Sequence, residues 1–263
     1  MRNASVGFHC PSCATVSPID KRTQRKLKSF TGDPITTRTL MGLNALAFIW
    51  TLISGGSVSS GGGTTTLDYG LVGFGRMREA SQIIDVGVAE GEWWRLFTSA
   101  FLHAGLLHLA VNMYLLWILG QQLERLHGRS RYLGLYFGSL AAGSLGVMLL
   151  DPTALTVGAS GAVFGLMSAT FIHQKRRGIS PWRSGIGGLL ILNLIFTFGR
   201  SGISIGGHLG GLLGGAFLAW AIEETDRRRL NRNFGLIITT TFTLVCLVVG
   251  IWAANRWYDP ILG

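Results

Sequence analysis

The sequence predicts an all-α, polytopic membrane protein. Three observations carry that prediction: little charge, long apolar runs between short charged clusters, and a basic excess confined to alternate connections. Of 263 residues, 48% are hydrophobic and only 14% charged, whereas an ordinary soluble domain carries about 25% charged residues. Mean hydropathy is +0.39.

Seven apolar runs follow one another at residues 39–54, 106–119, 132–150, 160–173, 185–198, 206–222 and 234–254. The longer ones approach the roughly 20 residues with which a helix crosses a bilayer. The fourth and fifth are short, and charge decides that they count as spans. Lys and Arg number seven between Arg2 and Arg38, three between Arg125 and Arg131, four between Lys175 and Arg183, and four between Arg227 and Arg232. These clusters occupy every second connection, whereas the others hold only Arg76, Arg78, Arg95, Arg200 and Arg256. The positive-inside rule then predicts a cytoplasmic N-terminus, an extracytoplasmic C-terminus and an odd number of spans in the plasma membrane. It also accounts for the net charge of +10 without any nucleic-acid partner; the lipid bilayer is the expected surroundings.

The expected organisation is a cytosolic tail over 1–38, a transmembrane domain over 39–254 with a long first loop over about 55–105, and a short extracytoplasmic tail over 255–263. The loop opens with a Gly/Ser/Thr stretch over 54–66, which reads as flexible. It closes with Gly91-Glu92-Trp93-Trp94-Arg95-Leu96-Phe97, where paired indoles beside a cation read as an interfacial anchor. A loop of that length is usually functional.

Polar residues inside a span cost several kcal/mol unless partnered or wetted. His103, His108, Asn112, Ser160 and His208 stand out. Any one of them reads most simply as a hydrogen bond across helices. Three imidazoles, a carboxamide and a hydroxyl together call for chemistry. His108 and Asn112, four apart, share a helix face. Ser160 opens a run of about 21 Å at 1.5 Å per residue, shorter than the roughly 30 Å apolar core of a bilayer. A helix starting at the basic Lys175 side therefore ends with Ser160 below the outer surface. Non-helical backbone at that depth is tolerated beside protein or a water-filled cavity, and hydrolysis needs the water. The helix N-terminus also presents free N–H groups to a developing oxyanion. Gly207, Gly211 and Gly215 recur every fourth residue, a smooth packing face that carries His208. If the Ser160 helix packs there, the imidazole can activate the hydroxyl. No Asp or Glu lies well inside a run, so a dyad is expected and no triad. The nucleophile elbow of soluble hydrolases is excluded because Ala162 stands where its second glycine belongs.

With these residues assembled, the sequence resembles the rhomboid proteases over nearly all of 39–254. Trp94-Arg95 resembles the family's first-loop motif, and His108-x-x-x-Asn112 its second-helix motif. Gly158-Ala159-Ser160-Gly161 resembles its nucleophile motif, and His208 with Gly211 and Gly215 its base followed by GxxxG. The resemblance implies a rhomboid-like six-helix bundle with an additional seventh transmembrane helix. It implies an intramembrane serine endopeptidase with catalytic Ser160 and His208. His108, Asn112 and the backbone N–H of Ser160 would form the oxyanion hole, with His103, Gly158, Phe164, Trp94 and Arg95 as accessory residues. Phe164 stands where many members carry a Tyr stacked on the catalytic His, and Phe can stack as well. Substrates would be transmembrane segments with helix-breaking residues near the outer end. No metal or organic cofactor is implied at the site. Rival readings are a catalytically inactive member that binds transmembrane clients, and a transporter, which acidic residues within the spans would favour.

Cys10-x-x-Cys13, beside His9, supplies half of a zinc ribbon. Residues 2–13 resemble the closing part of the cysteine-rich N-terminal domain of some actinobacterial rhomboids. Zinc at Cys10 and Cys13 is therefore expected only with a longer N-terminus, in which Met1 would be internal.

Overall fold

The computed structural model describes residues 2–3, 8–9, 33–79 and 82–257, in two compact units divided after Asp33. In the first, β1 (Arg2–Asn3) pairs antiparallel with β2 (Phe8–His9). Cys10 and Cys13 lie outside the described residues.

The second unit is a helical bundle. Its long helices are α1 (Ile35–Ile53), α4 (Leu106–His127), α5 (Arg129–Leu150), α6 (Ser160–Arg176), α7 (Ile186–Gly199), α8 (Ile205–Arg227) and α9 (Arg232–Trp257). Each of the seven apolar runs falls on one of them. Helices α4, α5, α8 and the Arg232–Arg256 stretch of α9 are long and apolar enough to cross a membrane, and α7 is a shorter apolar helix. The chain is a multi-pass membrane protein.

Several helices outlast their apolar runs. α4 continues from residue 119 to His127, and α8 from residue 222 to Arg227. Hydropathy stops at the first charges, but Gln, Leu, Glu and Arg are good helix formers and the backbone bonding carries on. A buried acidic group, Glu124, results past the end of the apolar run. Glu124 of α4 accepts from the N–H groups of Thr36 and Thr37 at 2.9 and 2.8 Å, satisfying the free first turn of α1.

The core is built by α5, α6 and α8, with α9 packed on the outer side of α5. Tyr132, Leu135, Tyr136, Leu166 and Met167 are completely buried there. Where α6 crosses α8 there is no side chain between the backbones. A Cβ added at Gly211 would sit inside contact distance of the Gly161 carbonyl, and its α carbon would lie only 2.9 Å from that Cβ. This close crossing brings the starts of α6 and α8 together.

The first loop is built, not slack. It holds α2 (Gly63–Tyr69), the antiparallel hairpin β3 (Gly75–Glu79) and β4 (Gln82–Val86), and α3 (Arg95–Thr98). Within the Gly/Ser/Thr stretch read as flexible, Ser57 and Gly61 exchange backbone bonds of 2.7 and 2.8 Å, and Leu106 N–H donates to the Val58 carbonyl at 2.7 Å. Small residues allow the tight path, and the backbone groups find partners in it. Arg95 departs from the anchor reading: its side chain is 1% exposed. Its Nε donates to Glu92 at 2.6 Å, and its Nη1 to the carbonyls of Leu67 and Gly70 at 2.6 and 2.8 Å. Five fixed donors make Arg suited to gathering carbonyls. Trp94 is exposed and donates from Nε1 to the Asp68 carbonyl at 3.3 Å. The loop in turn is tied to the bundle by Ser144 Oγ of α5, which donates to the Leu96 carbonyl at 2.7 Å.

Candidate active site

Ser160 is the first residue of α6, and His208 lies one turn into α8, whose start is capped by Ser204 Oγ accepting from Gly207 N–H at 3.0 Å. Across the glycine crossing, Ser160 Oγ and His208 Nε2 stand 2.8 Å apart, a normal hydrogen bond. Phe164, one turn down α6, stacks on the His208 ring with centroids 4.2 Å apart and planes 21° from parallel. The stacked ring holds the imidazole flat against α6 and shields its far face.

The other nitrogen has a partner that the sequence did not disclose. Thr197 Oγ1 on α7 lies 2.7 Å from His208 Nδ1 and donates its own proton to the Asn193 carbonyl at 2.7 Å. With its proton spent, the hydroxyl accepts from Nδ1–H. The imidazole therefore carries its proton on Nδ1 and offers a bare Nε2 to the Ser160 hydroxyl, the arrangement a general base requires. A threonine in an apolar helix is commonly a back-bonding residue, so sequence alone gave it no signal.

Facing the pair, Gly158 has φ +128°, and a Cβ there would come within 2.7 Å of His108 Cε1, 3.0 Å of His108 Nε2 and 3.6 Å of Ser160 Oγ. The His108 ring thus abuts the backbone that leads into the serine. His108 Nδ1 accepts from Ala104 N–H at 3.2 Å, which leaves the proton on Nε2, the edge turned toward Gly158. Asn112, buried, donates one amide hydrogen to the His108 carbonyl at 2.9 Å and retains a second. His103 packs edge-on against His108, centroids 5.1 Å apart. Its Nδ1 lies 3.3 Å from the Phe101 carbonyl, while its buried Nε2 has no partner among the described residues. Burial, helped by the neighbouring His108, pushes the His103 imidazole down to about 3, so this loop histidine is neutral. Trp94 and Arg95 are not at this centre; they organise the loop beneath which it lies.

One cavity of about 780 Å³ has Ser160, His208, His108, Asn112, Asn193 and Thr197 in its walls. Polar groups converging in a largely apolar hollow are the usual form of a binding site.

Fold and site define a multi-pass helical membrane protein that holds a serine bonded to a histidine within its bundle. Residues 90–225 match the family model described as the Rhomboid domain, and the chain belongs to the rhomboid family. It is 34% identical over 222 residues to Rhomboid protease GluP of Bacillus subtilis (strain 168), covering 83% of this chain and 40% of that protein. It is 38% identical over 149 residues to Putative rhomboid protease YdcA of the same organism, covering 55% of this chain and 75% of that protein. Inactive rhomboid protein 1 of Papio anubis is 32% identical over 134 residues, 49% of this chain and 16% of that protein.

Proposed function

We propose that the chain is an intramembrane serine endopeptidase that cleaves transmembrane segments of other membrane proteins with a Ser160–His208 dyad. The observation that carries this reading is the 2.8 Å contact between Ser160 Oγ and His208 Nε2, with Thr197 Oγ1 2.7 Å from the other ring nitrogen. Relatives named as rhomboid proteases support it.

In this reading Ser160 Oγ bonds to the scissile carbonyl carbon as its proton passes to His208 Nε2. The oxyanion faces the His108 Nε2–H, the free Asn112 amide hydrogen and the Ser160 backbone N–H at the open start of α6. Each such donor is worth on the order of 10²–10³ in kcat. Collapse breaks the C–N bond, and His208 returns the proton to the leaving amine. Water then attacks the acyl ester, gives its proton to Nε2, and the acid departs as Ser160 recovers the proton. His103 and Gly158 keep His108 in place, and Phe164 keeps His208 in its plane.

The basic clusters support a cytoplasmic N-terminus in the plasma membrane, with the dyad toward the outer face. The organisation follows: a cytosolic tail over 1–38, a proteolytic domain over 39–254 and a short outer tail. A client-binding, non-cleaving role is favoured only by the likeness to a relative named inactive.

The test is cleavage of a reporter transmembrane substrate in liposomes by wild type, Ser160→Ala and His208→Ala. Loss of cleavage in both variants, each folded, supports the dyad. Persistence in Ser160→Ala removes it. A wild type inert toward several substrates favours the client-binding role.

A further inference from the structure

A second cluster of titratable groups lies far from the dyad, at the other ends of the same two helices. His173 is thirteen residues beyond Ser160 on α6, and Glu223 fifteen beyond His208 on α8, about 20 Å away along each helix axis. His127, from the last turn of α4, joins them. His127 and His173 are buried and Glu223 nearly so, its side chain 11% exposed, and one ligand atom from each lies within 4.8 Å of the other two. We propose that His127, His173 and Glu223 bind one zinc-class divalent metal ion, clamping the basic ends of α4, α6 and α8.

The chemistry of the donors points that way. Two imidazoles and one carboxylate on separate helices suit zinc and its neighbours, and leave a fourth position for water. His173 Nδ1 and Glu223 Oε1 are 2.5 Å apart, sharing a proton that a metal would displace. Tetrahedral ligand atoms around zinc lie about 3.4 Å apart, so this pair must open by about 1 Å. His127 meets the His173 ring edge-on, centroids 5.8 Å apart.

The surrounding charges leave Glu223 available. Asp226 accepts from Arg131 at 2.7 Å, and Glu224 is held by Arg176, Arg227 and Arg228 at 3.3, 2.6 and 2.7 Å. Among the described residues Glu223 forms no ion pair with an arginine, and its carboxylate meets His173 instead. The proposal is independent of the proteolytic reading, since neither dyad residue takes part.

The test uses the untagged full chain in detergent, stripped with chelator, carrying Cys10→Ser and Cys13→Ser so that N-terminal thiolates contribute nothing. Cobalt(II) is the probe, and zinc the competitor. The expected result is one saturating equivalent of cobalt with the visible absorption of a four-coordinate nitrogen and oxygen site. Zinc should bleach that absorption and raise the unfolding temperature, because it binds only the folded state. His127→Gln keeps the His173–Glu223 bond intact and should still weaken cobalt binding at least about tenfold. Glu223→Gln should do the same. Absence of saturable cobalt binding, or binding unchanged in both variants, overturns the proposal.

Discussion

Thr197 Oγ1 stands 2.7 Å from His208 Nδ1 and hands its own proton to the Asn193 carbonyl at 2.7 Å. One hydroxyl on α7 thereby selects the tautomer of an imidazole on α8. In the proposed enzyme it does what the carboxylate of a triad does for orientation, without a buried charge.

Thr197→Val removes that acceptor while keeping the volume. The proposed base would then drift between tautomers and tilts, and kcat should fall about tenfold, the equivalent of one hydrogen bond of roughly 1.4 kcal/mol. KM should stay near wild type, and Thr197→Ser should restore kcat. A purely structural threonine would instead lower the unfolding temperature with no split between kcat and KM. Steady-state cleavage of a reporter segment separates the two.

Gly158→Ala tests the packing of His108. The added methyl meets the His108 ring at 2.7 Å and forces an alanine to φ +128°. Cleavage should drop by about 10²-fold or more, as when one oxyanion donor is lost, with the unfolding temperature lowered only modestly. A variant that cleaves like wild type would remove His108 from the proposed oxyanion hole.

Arg95→Ala should act on stability. It strips a buried cation from Glu92 and from the carbonyls of Leu67 and Gly70, at a cost of about 2–4 kcal/mol. Arg95→Lys should recover little, because one ammonium cannot reach three acceptors in the same fork. Thermal unfolding in detergent reads both.

Acid should find His103. Its imidazole stays neutral in the fold down to about 3 but takes up a proton near 6.5 when unfolded. The unfolded state binds more protons between those values, so this group's stabilisation falls as pH drops through that window. His103→Phe cannot titrate, and its unfolding temperature should decline less than that of wild type between pH 6.5 and 4. Parallel declines would mean that His103 is protonated in the fold.

How much of this was legible in the sequence depends on which forces wrote it. The spans are recorded as apolar runs, because a lipid surrounding leaves little choice of residue. Ser160 and His208 are conspicuous because a polar group and an imidazole sit among glycines. Thr197 was invisible because its bond partner is eleven residues away, across a chain reversal, and threonine is common in such helices. Glu124, His127, His173 and Glu223 were missed for another reason. Glu124, His127 and Glu223 lie past the point where hydropathy falls, on helical turns that only the continued backbone bonding reveals, and His173 closes its run beside the basic cluster. Arg95 was misread because a cation beside two indoles looks interfacial until the loop folds over it.

The crossing of Gly161 and Gly211 has a last consequence. A joint of main chain against main chain offers no rotamers to reset, so nucleophile and base keep their spacing whatever happens to the lipid-facing side chains around them. Such a molecule can drift widely in outer composition, adapting to bilayers of different thickness or stiffness, while the separation of the two reacting atoms stays put. Its tolerance to change is housed in its periphery, and its intolerance in two residues without side chains.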